Sequence, residues 1–423
     1  MPRPGALRPT LGRDTVFAAA LHLPSPPLLA RFALHVSPPV PWLRWTLLLS
    51  GSLCLLSGLL LPVLVWAAPA AITITSPLPQ VGEVSASARY VAWTATQMCT
   101  GQMASAGCSP QAIYLYDLQK RVISVAARTI YGQTGAIYHY HVTDRWLAYL
   151  DTGLHGSPAV GAWRIVALNL TTQRSIVVAQ SSRADTVTVP PDLALAGANL
   201  VWTSGHEQAP GKVRSSIAVT DLRTGRTRPL ASTISPFSYS FPDTDGMHVV
   251  WERDDFTSAQ PSSAIVGLDL DQATSTPRVL SGSLATLASQ PTVSGMRVAW
   301  KSGPGFAPGA IMLSTWDSRA APRQISRQGE AAFSPAIGDD FVAWSTGSTG
   351  RVNIYTLRTK RMLLPSGSQA DWIYGFPTTA GHWLAYSYMT GLPPHEGGPA
   401  PRGYVKLSYL GSDAAVWMPI LTG

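Results

Sequence analysis

The sequence predicts an all-β chain: a seven-bladed β-propeller of four-stranded antiparallel blades, preceded by an N-terminal apolar signal or anchor helix. Two columns of short apolar runs carry this prediction. The first comprises YVAW at 90–93, WLAY at 146–149, NLVW at 199–202, HVVW at 248–251, RVAW at 297–300, FVAW at 341–344 and WLAY at 383–386. From position 93 to 386 over six intervals, its mean spacing is 48.8 residues. The second comprises IYLYDL at 113–118, IVALNL at 165–170, IAVTDL at 217–222, IVGLDL at 265–270, IMLSTW at 311–316, NIYTL at 353–357 and VKLSYL at 405–410. From 118 to 410 its mean is 48.7, so two columns share one period.

Each unit reads as strands A, B, C and D. Upstream of each strand B stands a small, turn-rich approach such as FPDTDG at 241, QPTVSG at 290, SPAIGD at 334 and FPTTAG at 376. Strands B and C are near-continuous apolar runs, as expected of strands covered on both faces by neighbouring sheets. A polar hairpin and strand D follow, as in DLRTGRTRPL. Tryptophan at the end of strand B supplies apolar bulk between blades. Asp117, Asn169, Asp221 and Asp269 end strand C, where an Asx side chain caps the following turn.

Blades of the form P-x-x-S-x-G-x-x-V-x-W followed by I-Y-x-x-D-L-x-T-G resemble the TolB-like propellers, relatives of the WD-repeat group. The nearest copies are Gln290 to Trp300 (QPTVSGMRVAW) and Ile217 to Arg226 (IAVTDLRTGR), and the likeness extends over about residues 74 to 423. It implies the fold and, for function, a binding platform, scaffold or accessory domain. Such propellers often have six blades; seven motif copies predict seven here.

The N-terminal part divides into a basic, Pro-rich leader at 1–44, a signal peptide or transmembrane anchor at 45–70, and the propeller at 71–423. Residues 45–68, WTLLLSGSLCLLSGLLLPVLVWAA, carry no charge and are long enough to span a bilayer core. Arg3, Arg8, Arg13, Arg31 and Arg44 against Asp14 give the leader half of the net charge of +8, which places that end on the cytoplasmic side. Cleavage would follow Ala67 or Ala70; without it the segment tethers the chain to the membrane. In either case the body is expected to be exported, at the cell surface or outside the cell. Cys54 is core of the apolar run, and Cys99 and Cys108, in an exported loop, are expected to form a disulfide.

The remaining charge is spread over 379 residues without a clustered stripe, so no nucleic-acid partner is expected. Lys120, Arg121, Arg174, Arg223, Arg226, Arg228, Arg358, Lys360 and Arg361 fall at C-to-D turns and read as a solvated edge. The B-to-C loops are long and uneven: 94–112, 151–163, 203–214, 252–263 and 387–403. Function concentrates in such loops on a rigid frame, which makes His155, His206, Glu252, Asp254, Asp255, His395 and Glu396 the binding-face candidates. The ERDD run at 252–255 is weak as a Ca²⁺ site and reads as surface salt bridging.

No G-x-S-x-G elbow, H-E-x-x-H or phosphate-binding loop occurs. His139 and His141 share a strand face by the two-residue period and Asp144 follows, the nearest approach to a metal set, but no completing ligand is identifiable. No catalytic residue, metal or cofactor is therefore assigned. The expected function is a non-enzymatic binding or scaffold module, monomeric, which recognises a protein, peptide or cell-surface glycan through the long-loop face. The alternative is a propeller enzyme of polysaccharide lyase or glycosidase type with its site at the channel mouth; a purely structural envelope protein would lack any concave polar pocket.

Overall fold

The structure, a computed structural model, describes residues 71–411 apart from 97–109, 133–134, 154–160, 182–190, 210–211, 259–260, 273–274, 283–286, 304–306, 318–319, 348–350, 364–371, 374–375 and 391–401. The apolar run 45–68 with Cys54, the Cys99 and Cys108 pair, His155, His395 and Glu396 lie outside the described residues. Among the described residues no helix is long and apolar enough to cross a membrane.

The described residues begin with β1 (Ala71–Thr75) and then run through the blades in order. Blade 1 is β2 (Gln80–Ala86), β3 (Tyr90–Thr96), β4 (Ala112–Asp117) and β5 (Val122–Arg128). Blade 2 is β6 (Gly135–Val142), β7 (Trp146–Gly153), β8 (Trp163–Asn169) and β9 (Ser175–Gln180). Blade 3 is β10 (Leu193–Ala196), β11 (Asn199–Ala209), β12 (Lys212–Asp221) and β13 (Arg226–Ile234). Blade 4 is β14 (Phe237–Thr244), β15 (His248–Asp255), β16 (Ser262–Asp269) and β17 (Arg278–Val279). Blade 5 is β18 (Ala288–Ser294), β19 (Arg297–Ser302), β20 (Ala310–Thr315) and β21 (Arg323–Gln324). Blade 6 is β22 (Ala332–Ile337), β23 (Phe341–Thr346), β24 (Arg351–Thr356) and β25 (Arg361–Leu363). Blade 7 combines β26 (Trp372–Ile373), β27 (Thr378–Ala380), β28 (Trp383–Thr390) and β29 (Arg402–Tyr409) with β1.

All seven sheets pair antiparallel in sequence order, save the last. There β1 lies outside β29, with Ala71 opposite Ser408 and Thr75 opposite Tyr404. The first strand of the domain thus supplies the outer strand of the last blade and closes the ring, which spares both blades an open seam. Ile74 carries the closure into the core. It is buried in one cluster with Trp93 of blade 1 and Val405 and Leu407 of blade 7.

The expected apolar character of strands B and C follows from this stacking: every residue of β3 and of β7 is buried. Each blade boundary has its own apolar cluster. Trp251 packs against Val201, Ile217 and Val219 of blade 3, Trp300 against Val250 and Ile265 of blade 4, and Trp344 against Ala299 and Ile311 of blade 5. Tyr149 and Tyr386 take the same place at the boundaries of blades 1 and 2 and of blades 6 and 7.

Three of the four Asx positions cap the turn after strand C. Asp117 Oδ1 accepts the N–H groups of Gln119 and Lys120, Asn169 Oδ1 those of Thr171 and Thr172, and Asp221 Oδ1 that of Arg223. Asp269 differs. Eight residues separate β16 from β17, so there is no tight turn to cap, and Asp269 Oδ1 instead accepts the indole N–H of Trp316 in blade 5 at 2.8 Å. The B-to-C connections of blades 3 and 4 are also shorter than the sequence suggests. β11 and β12 extend as a twisted ladder to Ala209 and from Lys212, leaving two residues between them, and β15 and β16 reach Asp255 and start at Ser262.

Candidate functional site

Strand A of each blade lines the central channel, and in five of the seven blades it carries an irregularity at one place. The ladder between strands A and B slips between Val81 and Val84, at Tyr138/Tyr140, between Ser240 and Asp243, between Ser289 and Thr292, and between Phe333 and Ala336. Such a bulge turns a side chain off the regular pleat and leaves backbone groups to be satisfied elsewhere. The bulge position stands seven residues before the first residue of strand B. Counting back from Tyr90, Trp146, Asn199, His248, Arg297, Phe341 and Trp383 gives Glu83, His139, Asp192, Phe241, Gln290, Ser334 and Phe376. All seven line one cavity of about 1040 Å³.

Four of these residues have left-handed backbone: His139 (φ 43°), Phe241 (φ 47°), Gln290 (φ 53°) and Ser334 (φ 45°). None is glycine, so each conformation costs on the order of 1 kcal/mol or more and must be imposed by its surroundings. For Phe241, Gln290 and Ser334 the imposition is visible in hydrogen bonds from the preceding blade. Asp192 Oδ2 accepts the Phe241 N–H at 3.0 Å, Glu252 Oε2 the Gln290 N–H at 3.3 Å, and Gln290 Oε1 the Ser334 N–H at 3.0 Å. Beyond the ring, Asp243 Oδ2 of blade 4 accepts the Val293 N–H of blade 5 at 2.8 Å. Between blades 1 and 2, the Tyr140 hydroxyl donates to the Glu83 carbonyl and accepts the Thr94 N–H.

The ring is chemically mixed. His139 Nε2 stands 3.6 Å from Asp192 Oδ1. Glu83 has its backbone held by Tyr140, while its carboxylate makes no hydrogen bond or salt bridge to a described residue. Phe376 is 46% exposed, an unusual state for a large apolar side chain facing a cavity. Pro242, Pro291, Pro335 and Pro377 follow the ring residues of blades 4 to 7 and form an apolar wall below it. From the ring the cavity runs toward the A-to-B turns, including Ala88, Asp144, Gly197 and Gly381. The turns at Gly197 (φ 58°) and Gly381 (φ 60°) need glycine for their left-handed backbone. Five carboxylates and two guanidinium groups line the cavity. Its lining is therefore net acidic, while the nine basic residues of the C-to-D turns are exposed on the same face, and of these only Arg223 also lines the cavity.

Burial shapes the titration of this wall. Desolvation, reinforced by the neighbouring His139, pushes the His141 imidazole down to about 4. Desolvation pushes the Asp243 carboxyl up to about 6 against the hydrogen bond from Val293.

The sequence-derived candidates fall in three places. The bulge at His139 breaks the two-residue alternation, yet both His139 and His141 line the channel. Asp144 sits at the A-to-B turn, where its Oδ1 accepts the Arg89 N–H of blade 1 at 2.9 Å. Among the described residues no three His, Cys, Asp or Glu side chains group as a metal site. His206 is exposed on β11 opposite Arg214. Glu252, expected in surface salt bridges, is instead buried at the boundary of blades 4 and 5, where desolvation and the adjacent Asp254 push its carboxyl up to about 9. Asp254 accepts the hydroxyls of Ser238 and Ser240, and Asp255 accepts the Thr257 N–H. The fully buried Lys301 of blade 5 donates to the Ala307 carbonyl.

Of the ring, only His139 was among the sequence-derived candidates. The signal of the ring was positional: seven residues before each strand B and, in four blades, directly before proline.

No family model matches the chain, and no curated protein matches its sequence. Solved structures match its fold. The β-propeller domain of the Trilobed protease from Pyrococcus furiosus, which has an open velcro topology, aligns at TM-score 0.53 and 10% identity over 83% of this chain and 100% of that one. A prolyl endopeptidase aligns at TM-score 0.51 and 14% identity over 73% of this chain, which spans 45% of that protein's length. TolB from Acinetobacter baumannii aligns at TM-score 0.41 and 14% identity over 63% of each chain. At these identities the likeness to the first two is one of fold alone; this chain's own sheets make seven blades, with the ring closed by β1.

Proposed function

We propose that this chain is an exported, membrane-tethered or released, non-enzymatic binding propeller, and that its ligand, a protein or peptide segment or a glycan chain, enters the central channel and rests on the ring. One observation carries the reading: residues at one equivalent position in seven blades, five of them at a bulge, converge on a single large cavity, with a carboxylate, a His–Asp couple, an amide and two phenylalanines among them. Polar groups held in place by neighbouring blades, combined with accessible aromatic surface, suit recognition of an extended polar chain. Export rests on the uncharged run at 45–68 and its basic leader.

Glu83 and Phe376 make the test clean, because neither side chain has a described structural partner to lose. The full-length chain and a Glu83→Gln/Phe376→Ala variant are used to capture partners from an envelope extract. Partner retention should fall about tenfold in the variant at unchanged thermal midpoint. Equal capture by both would move the site to the B-to-C face. Turnover of a polysaccharide or peptide substrate, abolished by the same variant, would replace the binding reading with the enzymatic one.

A further inference from the structure

The outer edges of the blades are not alike. β17 and β21 have two residues each and β25 has three, while β13 is long but carries Arg226, Arg228 and Pro229. Shortness, charge and proline are the devices that keep an edge strand from pairing with another chain. β5 (VISVAAR) and β9 (SIVVAQ) have seven and six residues, no proline and no charge before Arg128. Half of the fourteen exposed large hydrophobic side chains among the described residues fall between Val122 and Val177, and Val122 is 52% and Val177 50% exposed.

β5 is the outermost strand of its sheet, so one side of its backbone ladder is open. Basic residues bracket it: Lys120 and Arg121 at its start and Arg128 at its end, all exposed and none in a salt bridge with a described residue. We propose that β5 takes up an extended segment of a partner protein as a fifth strand of blade 1, a segment with apolar residues at alternate positions and carboxylates at its ends. Strand addition satisfies the open N–H and C=O groups while extending the apolar face that carries Ile123 and Val125. A second copy of β5 fits poorly, because antiparallel self-pairing brings the basic ends of the two copies together. Burial in lipid fits poorly as well, because an open ladder has no hydrogen-bond partner in hydrocarbon.

The experiment uses the full-length chain in phosphatidylcholine nanodiscs and two labelled peptides, Asp-Asp-Val-Thr-Ile-Thr-Val-Glu-Asp and the same apolar centre flanked by lysines. The acid-flanked peptide should bind about tenfold more tightly than the lysine-flanked one. It should also slow amide exchange in residues 122–128 without slowing strand A. In Lys120→Glu/Arg128→Glu the preference should reverse, which also shows that the variant is folded. The proposal is overturned if neither peptide slows exchange at 122–128, or if both bind equally. It is overturned too if phosphatidylglycerol nanodiscs alone protect the strand, or if protection follows a concentration-dependent dimer.

Discussion

The Asp192 carboxylate accepts the backbone N–H of Phe241 at 3.0 Å, across the boundary between blades 3 and 4. The same carboxylate stands 3.6 Å from His139 of blade 2, so one side chain ties together three consecutive blades at the channel. A bulge frees the Phe241 N–H from its own ladder, and the preceding blade supplies the acceptor. The ring that lines the cavity is thereby part of what holds the blades in register.

Replacing Asp192 separates the two roles. Asp192→Ala leaves the Phe241 N–H without its acceptor and should cost about 1–2 kcal/mol in urea unfolding. Asp192→Asn keeps an acceptor oxygen and should stay within about 0.5 kcal/mol of the parent. Equal midpoints for all three proteins would show that the bond contributes nothing to register.

Closure by β1 predicts a sharp difference between neighbouring positions. Ile74 is the one fully inward residue of the strand, whereas Thr73 is exposed. Ile74→Ala should destabilise by about 2–4 kcal/mol, and Thr73→Ala by less than about 0.5 kcal/mol. Loss of stability of the same size at both positions would argue against the pairing of β1 with β29.

The buried carboxyl of Glu252 sets a pH dependence with a definite sign. Its folded value, raised to about 9, lies above the unfolded one, so the folded state holds the extra proton and stability falls as pH rises from about 4.5 toward 9. Asp243 acts in the same direction up to about 6, whereas His141, lowered to about 4, adds stability as pH rises from 4 to about 6.5. Glu252→Gln mimics the protonated acid: its amide oxygen can accept the Gln290 N–H and its NH₂ can donate to Asp254. The variant should match the parent at pH 5 and exceed its thermal midpoint at pH 8. A variant less stable than the parent at pH 8 would mean that an ionised Glu252 is held by Lys301.

The fold was legible because its signals are chemical. Strand B must fill the space between blades, so Trp93, Trp251, Trp300 and Trp344 recur, and tight turns demand Asp117, Asn169 and Asp221. Where the geometry changes, the inference fails: Asp269 keeps the residue type of its column, but a longer connection gives it Trp316 as a partner. The ring was harder to read because a bulge fixes a position and leaves side-chain chemistry free. Glu83, His139, Asp192, Phe241, Gln290, Ser334 and Phe376 share no property that a sequence column would reveal. The B-to-C connection of blade 3 misled for the opposite reason, since polar residues such as His206 and Arg214 continue the ladder as an exposed ribbon.

The most direct test of the channel as the binding site is hydrogen exchange on the full-length chain with and without a captured partner. The account predicts slowed exchange in the strand A segments 83–87, 139–145, 192–198 and 241–246, with the B-to-C connections unchanged. Protection confined to the B-to-C connections, with these four segments exchanging as in the free protein, would contradict it.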